Sequence, residues 1–186
     1  MRFFDVAALP VSPWRNGGGD TREIAYVPSE AHGHAFAWRT SVATIAADGP
    51  FSAFPGVDRT ITLLAGDGVT LSADGMPAHE LVRVGEPFSF SGDLAIRAAL
   101  AGGPCRVLNI MAMRGAWAAD VRRTSAGTTP RAGGSGVLHV LEGSWQCGTT
   151  TLTAGQGAWW DRESADTLTP LTPDSVALEA DIRRSA

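Results

Sequence analysis

Phe36-Ala37-Trp38-Arg39-Thr40-Ser41-Val42-Ala43-Thr44-Ile45 alternates with a period of two. One face takes Phe36, Trp38, Thr40 and Val42, and the other takes Ala37, Arg39, Ser41, Ala43 and Ile45. Successive side chains of a strand point to opposite sides, so this is a strand with two differently furnished faces. The same pattern recurs outward along the chain. Strands are expected at 60–65, 68–72, 79–84, 94–100, 105–113, 136–141, 144–147, 157–161 and 175–183. Glycine-bearing turns separate them at 65–68, 73–75 and 142–144. No long amphipathic helix is visible; the tract 117–124 is read as a short one.

The segment Thr124–Ser135, rich in Ser, Thr, Gly and Pro, reads as a linker or mobile loop between two comparable units. The first unit holds Ile61-Thr-Leu-Leu-Ala-Gly-Asp-Gly68 and the second Leu138-His-Val-Leu-Glu-Gly-Ser-Trp145. In each, an apolar strand, a glycine turn and a second strand lead through a further glycine turn into an aromatic strand, which is a weak internal repeat. Either half alone is too small to bury both of its faces. The expectation is an all-β double jelly-roll sandwich, with residues 1–123 as one unit and 136–186 as the other, packed as one domain.

Composition fits that reading and narrows the function. The 186 residues are 44 % hydrophobic and 18 % charged, with 22 glycines and 11 prolines, which favours turns and strands over helices. A net charge of −4 argues against a general nucleic-acid binder. All 15 basic residues are arginine, so every fixed positive charge is a planar fork suited to carboxylate or phosphate. Two cysteines, Cys105 and Cys147, do not make a secreted disulfide scaffold, although the sequence leaves open whether they meet. The N-terminus lacks the apolar run of a signal peptide and no stretch approaches a membrane span. The expected location is cytoplasmic, with no nucleic-acid or membrane partner; a homodimer is compatible with the sequence.

Three stretches carry a more specific signal. They are Pro13-Trp-Arg-Asn-Gly-Gly-Gly-Asp-Thr-Arg-Glu-Ile24, then the run from Phe36 through Gly49-Pro-Phe-Ser-Ala-Phe-Pro-Gly-Val-Asp-Arg59, then Phe90-Ser-Gly-Asp93 followed by Leu108-Asn-Ile-Met111. In order and spacing the chain resembles the HutD/Ves family, strongly over residues 1–115 and loosely beyond. The resemblance implies a bicupin-like β fold and, for some members, an association with histidine utilisation in a regulatory or ligand-sensing role. It implies no settled catalytic activity. The family pattern carries an acidic residue ahead of the Leu-Asn-x-Met run where this chain has Val107, so no role of that acid transfers.

Read physically, Arg39 stands out, because a strand arginine amid alanines and Ser41 needs either a partner or a ligand. It faces a cavity as half of a carboxylate site, or it forms a structural ion pair with Glu23 or Asp58. Arg59 begins the next strand and joins either arrangement. Trp14, Trp38, Phe51 and Phe54 supply apolar walls or plain core. Asn109 needs partners for its amide. The glycines 17–19 form either an anion-binding nest or a turn. Residues 13–59 are expected to supply most of the ligand site as Arg15, Asn16, Thr21, Arg39, Ser41, Phe51, Ser52 and Arg59, with Asn109 added from the later strand.

His32-Gly-His34 has the spacing of a metal-binding pair but lies in a loop with no acid before Asp48, while His79 and His139 are isolated, so no metal and no other cofactor is expected. No nucleophile–base pair stands out. These observations converge on a metal-independent binder of a small carboxylated metabolite, of urocanate or formylglutamate type on the family link alone. The rival is a metal-free isomerase or hydrolase of a similar acid, with a pH profile set by a carboxylate or His139. A third reading, a structural partner docking through exposed tryptophans, requires a large apolar patch.

Overall fold

The alternating stretches form strands in the computed structural model, which describes residues 1–29, 35–163 and 166–185. In chain order they are β1 (Arg2–Asp5), β2 (Ser12–Pro13), β3 (Gly19–Pro28), β4 (Phe36–Ile45), β5 (Gly49–Pro50) and β6 (Val57–Ala65). Next come β7 (Val69–Ala73), β8 (Met76–Leu81), β9 (Pro87–Ser91), β10 (Arg97–Leu100), β11 (Cys105–Met113) and β12 (Trp117–Thr124). The last are β13 (Ser135–Glu142), β14 (Ser144–Cys147), β15 (Thr150–Thr153), β16 (Gln156–Trp160), β17 (Leu168–Pro170) and β18 (Val176–Arg184). The only helical turn among the described residues is Val6–Ala8, capped by the Asp5 carboxylate accepting from the Ala7 N–H. No helix is long and apolar enough to cross a membrane.

The strands make four antiparallel sheets. The first unit pairs β2-β3-β4-β11-β6-β9 with β5-β10-β7-β8, and the second pairs β1-β16-β13-β18-β12 with β15-β14-β17. Between the two sheets of the first unit lie Ile45, Leu63, Val69, Leu71 and Ile96. Between those of the second lie Leu138, Trp145, Leu152, Trp160 and Leu168. The two larger sheets then pack back to back through Trp38, Val42, Leu108 and Ile110 on one side and Val137, Leu178, Ala180 and Ile182 on the other. The order is therefore sheet, core, sheet, core, sheet, core, sheet. β11 is the hinge of this arrangement: Val107 faces the first core and Leu108 and Ile110 the middle one, so it is apolar on both faces.

The chain is thus an all-β pair of stacked sandwiches, and several local expectations need correction. The tract 117–124 is strand β12, because its alternation gives Trp117 and Val121 to the middle core. Both β12 and the N-terminal β1 hydrogen-bond into the second unit's sheet, although β1 and nearly all of β12 lie within residues 1–123. The segment 124–135 is not simply a free linker: Thr128 is buried and exchanges backbone hydrogen bonds of 2.9 Å with Leu168. Ala37 is an extra residue in β4, since Trp38 pairs with Val27 and Phe36 with Pro28. That bulge moves Phe36 off the Trp38 face and onto Met111 and Val57, beside Arg39. Cys105 and Cys147 are free thiols buried in different cores.

Candidate functional site

The site begins as a consequence of register. Arg39 of β4 and Arg59 of β6 both pair with Met111 of β11, so two arginines flank one methionine on a single face. One step along, Ser41 and Ile61 flank Asn109 in the same way, and beyond them Ala43 and Leu63 flank Val107. At the Val107 end this face is covered by the second sheet. Toward the arginines it lines a cavity of about 530 Å³, walled by the hairpin segment Ser12–Asn16 and the segment Pro50–Phe54. Arg15, Asn16, Thr21, Arg39, Ser41, Phe51, Ser52, Arg59 and Asn109 all line it, so the structure gathers these nine residues around one space.

Arg59 is the unusual member. It is only 6 % exposed, and its one hydrogen bond is from Nη1 to the Ser52 carbonyl at 3.2 Å. Its Nε–H has no acceptor, and among the described residues no carboxylate pairs with it. The guanidinium instead sits within 5.1 Å of the Phe90 ring centre, 5.3 Å of Phe54 and 5.6 Å of Phe51. Ring faces attract a cation but do not neutralise it. Burial, reinforced by the charge of Arg39, pushes the Arg59 guanidinium well below its ordinary value, to about 10. Even so it is cationic at neutral pH, and a buried cation without an anion is a costly arrangement that an anionic ligand relieves.

Arg39 is different because it is already paired: its Nη2 lies 3.0 Å from Oε2 of Glu23 on the adjacent β3. Of the two roles weighed for it, ion pair or cavity wall, it fills both. Asp58 is not its partner, since Arg114 takes Asp58 at 2.7 Å together with Asp93 at 2.5 Å. The Asn109 Oδ1 is buried without a donor. Trp14 donates from Nε1 to Thr21 Oγ1 at 2.8 Å and meets Phe51 edge-on at 6.1 Å, which fixes the apolar wall.

The glycine run resolves as a turn. Gly17 adopts a φ of +71°, its N–H donates to the Trp14 carbonyl, and the Gly18 N–H donates to Asn16 Oδ1. Those donors are spent inside the hairpin and do not converge on an anion. Gly19 is needed for close approach: a Cβ there would stand 2.0 Å from the Thr44 carbonyl oxygen.

A family model described as HutD matches residues 6–178. The chain belongs to the HutD family. Among curated relatives, "Protein Ves" of Citrobacter koseri is 42 % identical over 183 residues, covering 98 % of this chain and 94 % of that protein. "Protein Ves" of Cronobacter sakazakii is 43 % identical over 186 residues, covering 98 % of each. The fold is similar to that of HutD from Pseudomonas fluorescens SBW25, with a TM-score of 0.84, 23 % identity and coverage of 100 % of this chain and 99 % of that one. It is also similar to a cupin 2 conserved barrel domain protein from Leptotrichia buccalis, at TM-score 0.62, 12 % identity and coverage of 100 % and 97 %.

In this HutD-family chain several sequence-derived expectations fall away from the cavity. Trp38 is buried in the middle core and donates to Asp161 Oδ1 at 3.3 Å, so it is no wall of the site. His139 is also outside it, stacked on Phe4 at 6.0 Å and held down to about 4 by burial and, secondarily, by the charge of Arg106. His79 stacks on Phe88 at 3.7 Å. His32 and His34 lie outside the described residues, and among those described no three His, Cys, Asp or Glu side chains come together. None of the tryptophans is exposed, which removes the motive for a tryptophan-led docking surface. The members of the aromatic collar of Arg59 lie in quoted motifs, Phe51 and Phe54 in the second and Phe90 in the third, but only the pairing Arg59↔Phe90, across 31 positions, brings Phe90 to the arginine.

Proposed function

We propose that this protein binds a small carboxylated metabolite in the first-unit cavity, without a metal, as a sensing or buffering component. The observation that carries this reading is Arg59: a buried guanidinium with no carboxylate partner, collared by three phenyl rings and turned to a cavity of about 530 Å³. A carboxylate would meet there two guanidinium forks, the Ser41 hydroxyl and the Asn109 amide, between walls of Trp14, Phe51 and Phe54. Arginine, hydroxyl and amide make a donor set for an anion, not a ligand set for a metal. Among the described lining residues there is no His, Asp, Glu or Cys. Proton-transfer chemistry at neutral pH needs such a group within hydrogen-bond reach, and its absence from the lining supports binding over turnover.

The family's tie to histidine utilisation directs the first choice of ligand to urocanate and formylglutamate. The test is a calorimetric titration of the protein with these two acids, with acetate as a minimal carboxylate and the amide of each acid as the uncharged control. Saturable binding of at least one acid, lost with its amide, is expected. If no carboxylate binds, the reading fails. If an acid is consumed catalytically while bound, the sensing role gives way to an enzyme.

A further inference from the structure

The reading just proposed places two strand arginines, Arg39 and Arg59, side by side in a cavity that the exposed Arg15 also lines, and of the strand pair only Arg59 lacks a counter-ion. Arg59 has no counter-ion, whereas Arg39 spends Nη2 on Glu23 at 3.0 Å. Glu23 is not itself part of the cavity lining; it reaches Arg39 from β3, where it pairs with Ser41 just before the register shift at Ile24. Its side chain is 46 % exposed against 21 % for Arg39, so the carboxylate can swing into water while the arginine stays in the wall. No other hydrogen bond or ion pair holds Glu23 in place among the described residues.

We infer that Glu23 is the cavity's resident counter-ion, a specificity-determining residue that an incoming carboxylate must displace from Arg39. This rests on the proposed carboxylate site and adds to it a rule of admission. A ligand gains Arg59 outright, whereas at Arg39, whose Nε–H also lacks an acceptor, it gains the Nη2 edge only in exchange for Glu23. An acid that contacts Arg59 alone therefore meets a partly neutralised cavity. An acid that reaches both guanidinium groups, or presents a bidentate carboxylate at Arg39, recovers what the exchange costs. Holding an unliganded cationic cavity half neutralised also keeps small ambient anions from occupying it.

The experiment is a calorimetric titration of wild type, Glu23→Gln and Glu23→Ala with acetate, succinate and urocanate. Asp20→Asn serves as the control, because Asp20 lies on the same strand but accepts from Thr44 Oγ1 at 3.3 Å instead of pairing with Arg39. An exposed ion pair changes an equilibrium by up to about fivefold. The Glu23 variants are therefore expected to bind the acids that use Arg39 about three- to fivefold more tightly, while Asp20→Asn leaves affinity unchanged. Tightening is a result that loss of structure does not produce, so a lowered melting point in either variant does not blur the outcome. Unchanged or weakened binding in both Glu23 variants overturns the inference while leaving the carboxylate site standing. Equal tightening by Asp20→Asn also overturns it, since the effect is then bulk charge. If wild type and all variants bind none of the three acids, the inference and the reading beneath it fall together.

Discussion

Replacing Arg59 with methionine separates a ligand-binding arginine from a structural one, because the two roles give opposite signs for stability. The guanidinium is held down from its ordinary value to about 10, chiefly by burial. A shift of that size corresponds to about 3 kcal/mol spent on keeping the group charged at neutral pH. Against this, Arg59 gives back one charged hydrogen bond, to the Ser52 carbonyl, of about 1.5–3 kcal/mol. Methionine keeps the unbranched stem, and its thioether sits well among Phe51, Phe54 and Phe90. Arg59→Met is therefore expected to be neutral or to stabilise the empty protein by about 1 kcal/mol. The same change should cost about 2–5 kcal/mol of carboxylate binding, because the pair it removes is desolvated in the complex. Urea unfolding at pH 7 gives the first quantity and calorimetric titration the second. If Arg59→Met loses more than 3 kcal/mol of stability, Arg59 is holding the fold. If it binds the acid as wild type does, the anion sits elsewhere.

Other outcomes follow from the same contacts. Binding should weaken as pH rises through about 10, where Arg59 loses its proton, and a titration repeated at pH 8 and pH 10.5 reads this directly. His139, at about 4 when folded against an ordinary 6.5, takes up its proton in the unfolded chain first. Its contribution to stability is therefore complete above about 6.5 and is lost as pH falls toward 4, by up to about 3 kcal/mol; His139→Phe should flatten that acid limb in urea melts. Gly19→Ala puts a Cβ 2.0 Å from a backbone oxygen that cannot yield, so the hairpin wall must shift, with a loss of about 2 kcal/mol or more and weakened ligand binding. Trp14 lines the cavity, so ligand binding should change tryptophan emission in wild type and not in Trp14→Phe.

Much of the fold was legible because it rests on short-range alternation. The strand at 36–45 was placed to the residue, as was 105–113. Where one extra residue enters a strand, alternation misleads: the bulge at Ala37 puts Phe36 on the Arg39 face, opposite to the sequence assignment. Residues 117–124 were misread because their apolar positions, Trp117 and Val121, stand four apart, a spacing that serves a helix and a strand equally. Strand partnership was illegible for a different reason. That β1 crosses to β16 and β12 to β18 is decided by long-range hydrogen bonding between segments over 50 residues apart, on which local composition is silent. The candidate site was legible as a set of residues from three motifs. Its hierarchy was not: only the coordinates show that Glu23 already occupies Arg39 while Arg59 is unpaired.

The comparison between the two units explains why the site belongs to the first. Both are sandwiches of the same kind, and both carry a charged residue facing inward from a central strand. In the second unit that residue is Glu179 of β18, and it is satisfied. Arg122 donates to Oε2 from Nε at 2.9 Å and from Nη2 at 2.6 Å, and the Thr128 hydroxyl donates to Oε1. The interior beside it is filled by Trp145 and Trp160, and the space left at its mouth is about 260 Å³. A buried charge with its partners in place has nothing further to gain from a ligand. In the first unit the inward residue is Arg59, its counter-ion is missing, and the interior in front of it is empty over twice that volume. Natural cores rarely tolerate a buried polar group left unsatisfied. The first unit does so where three sequence motifs, an aromatic collar and a cavity coincide, and this is why we propose a carboxylate as the group that would complete it.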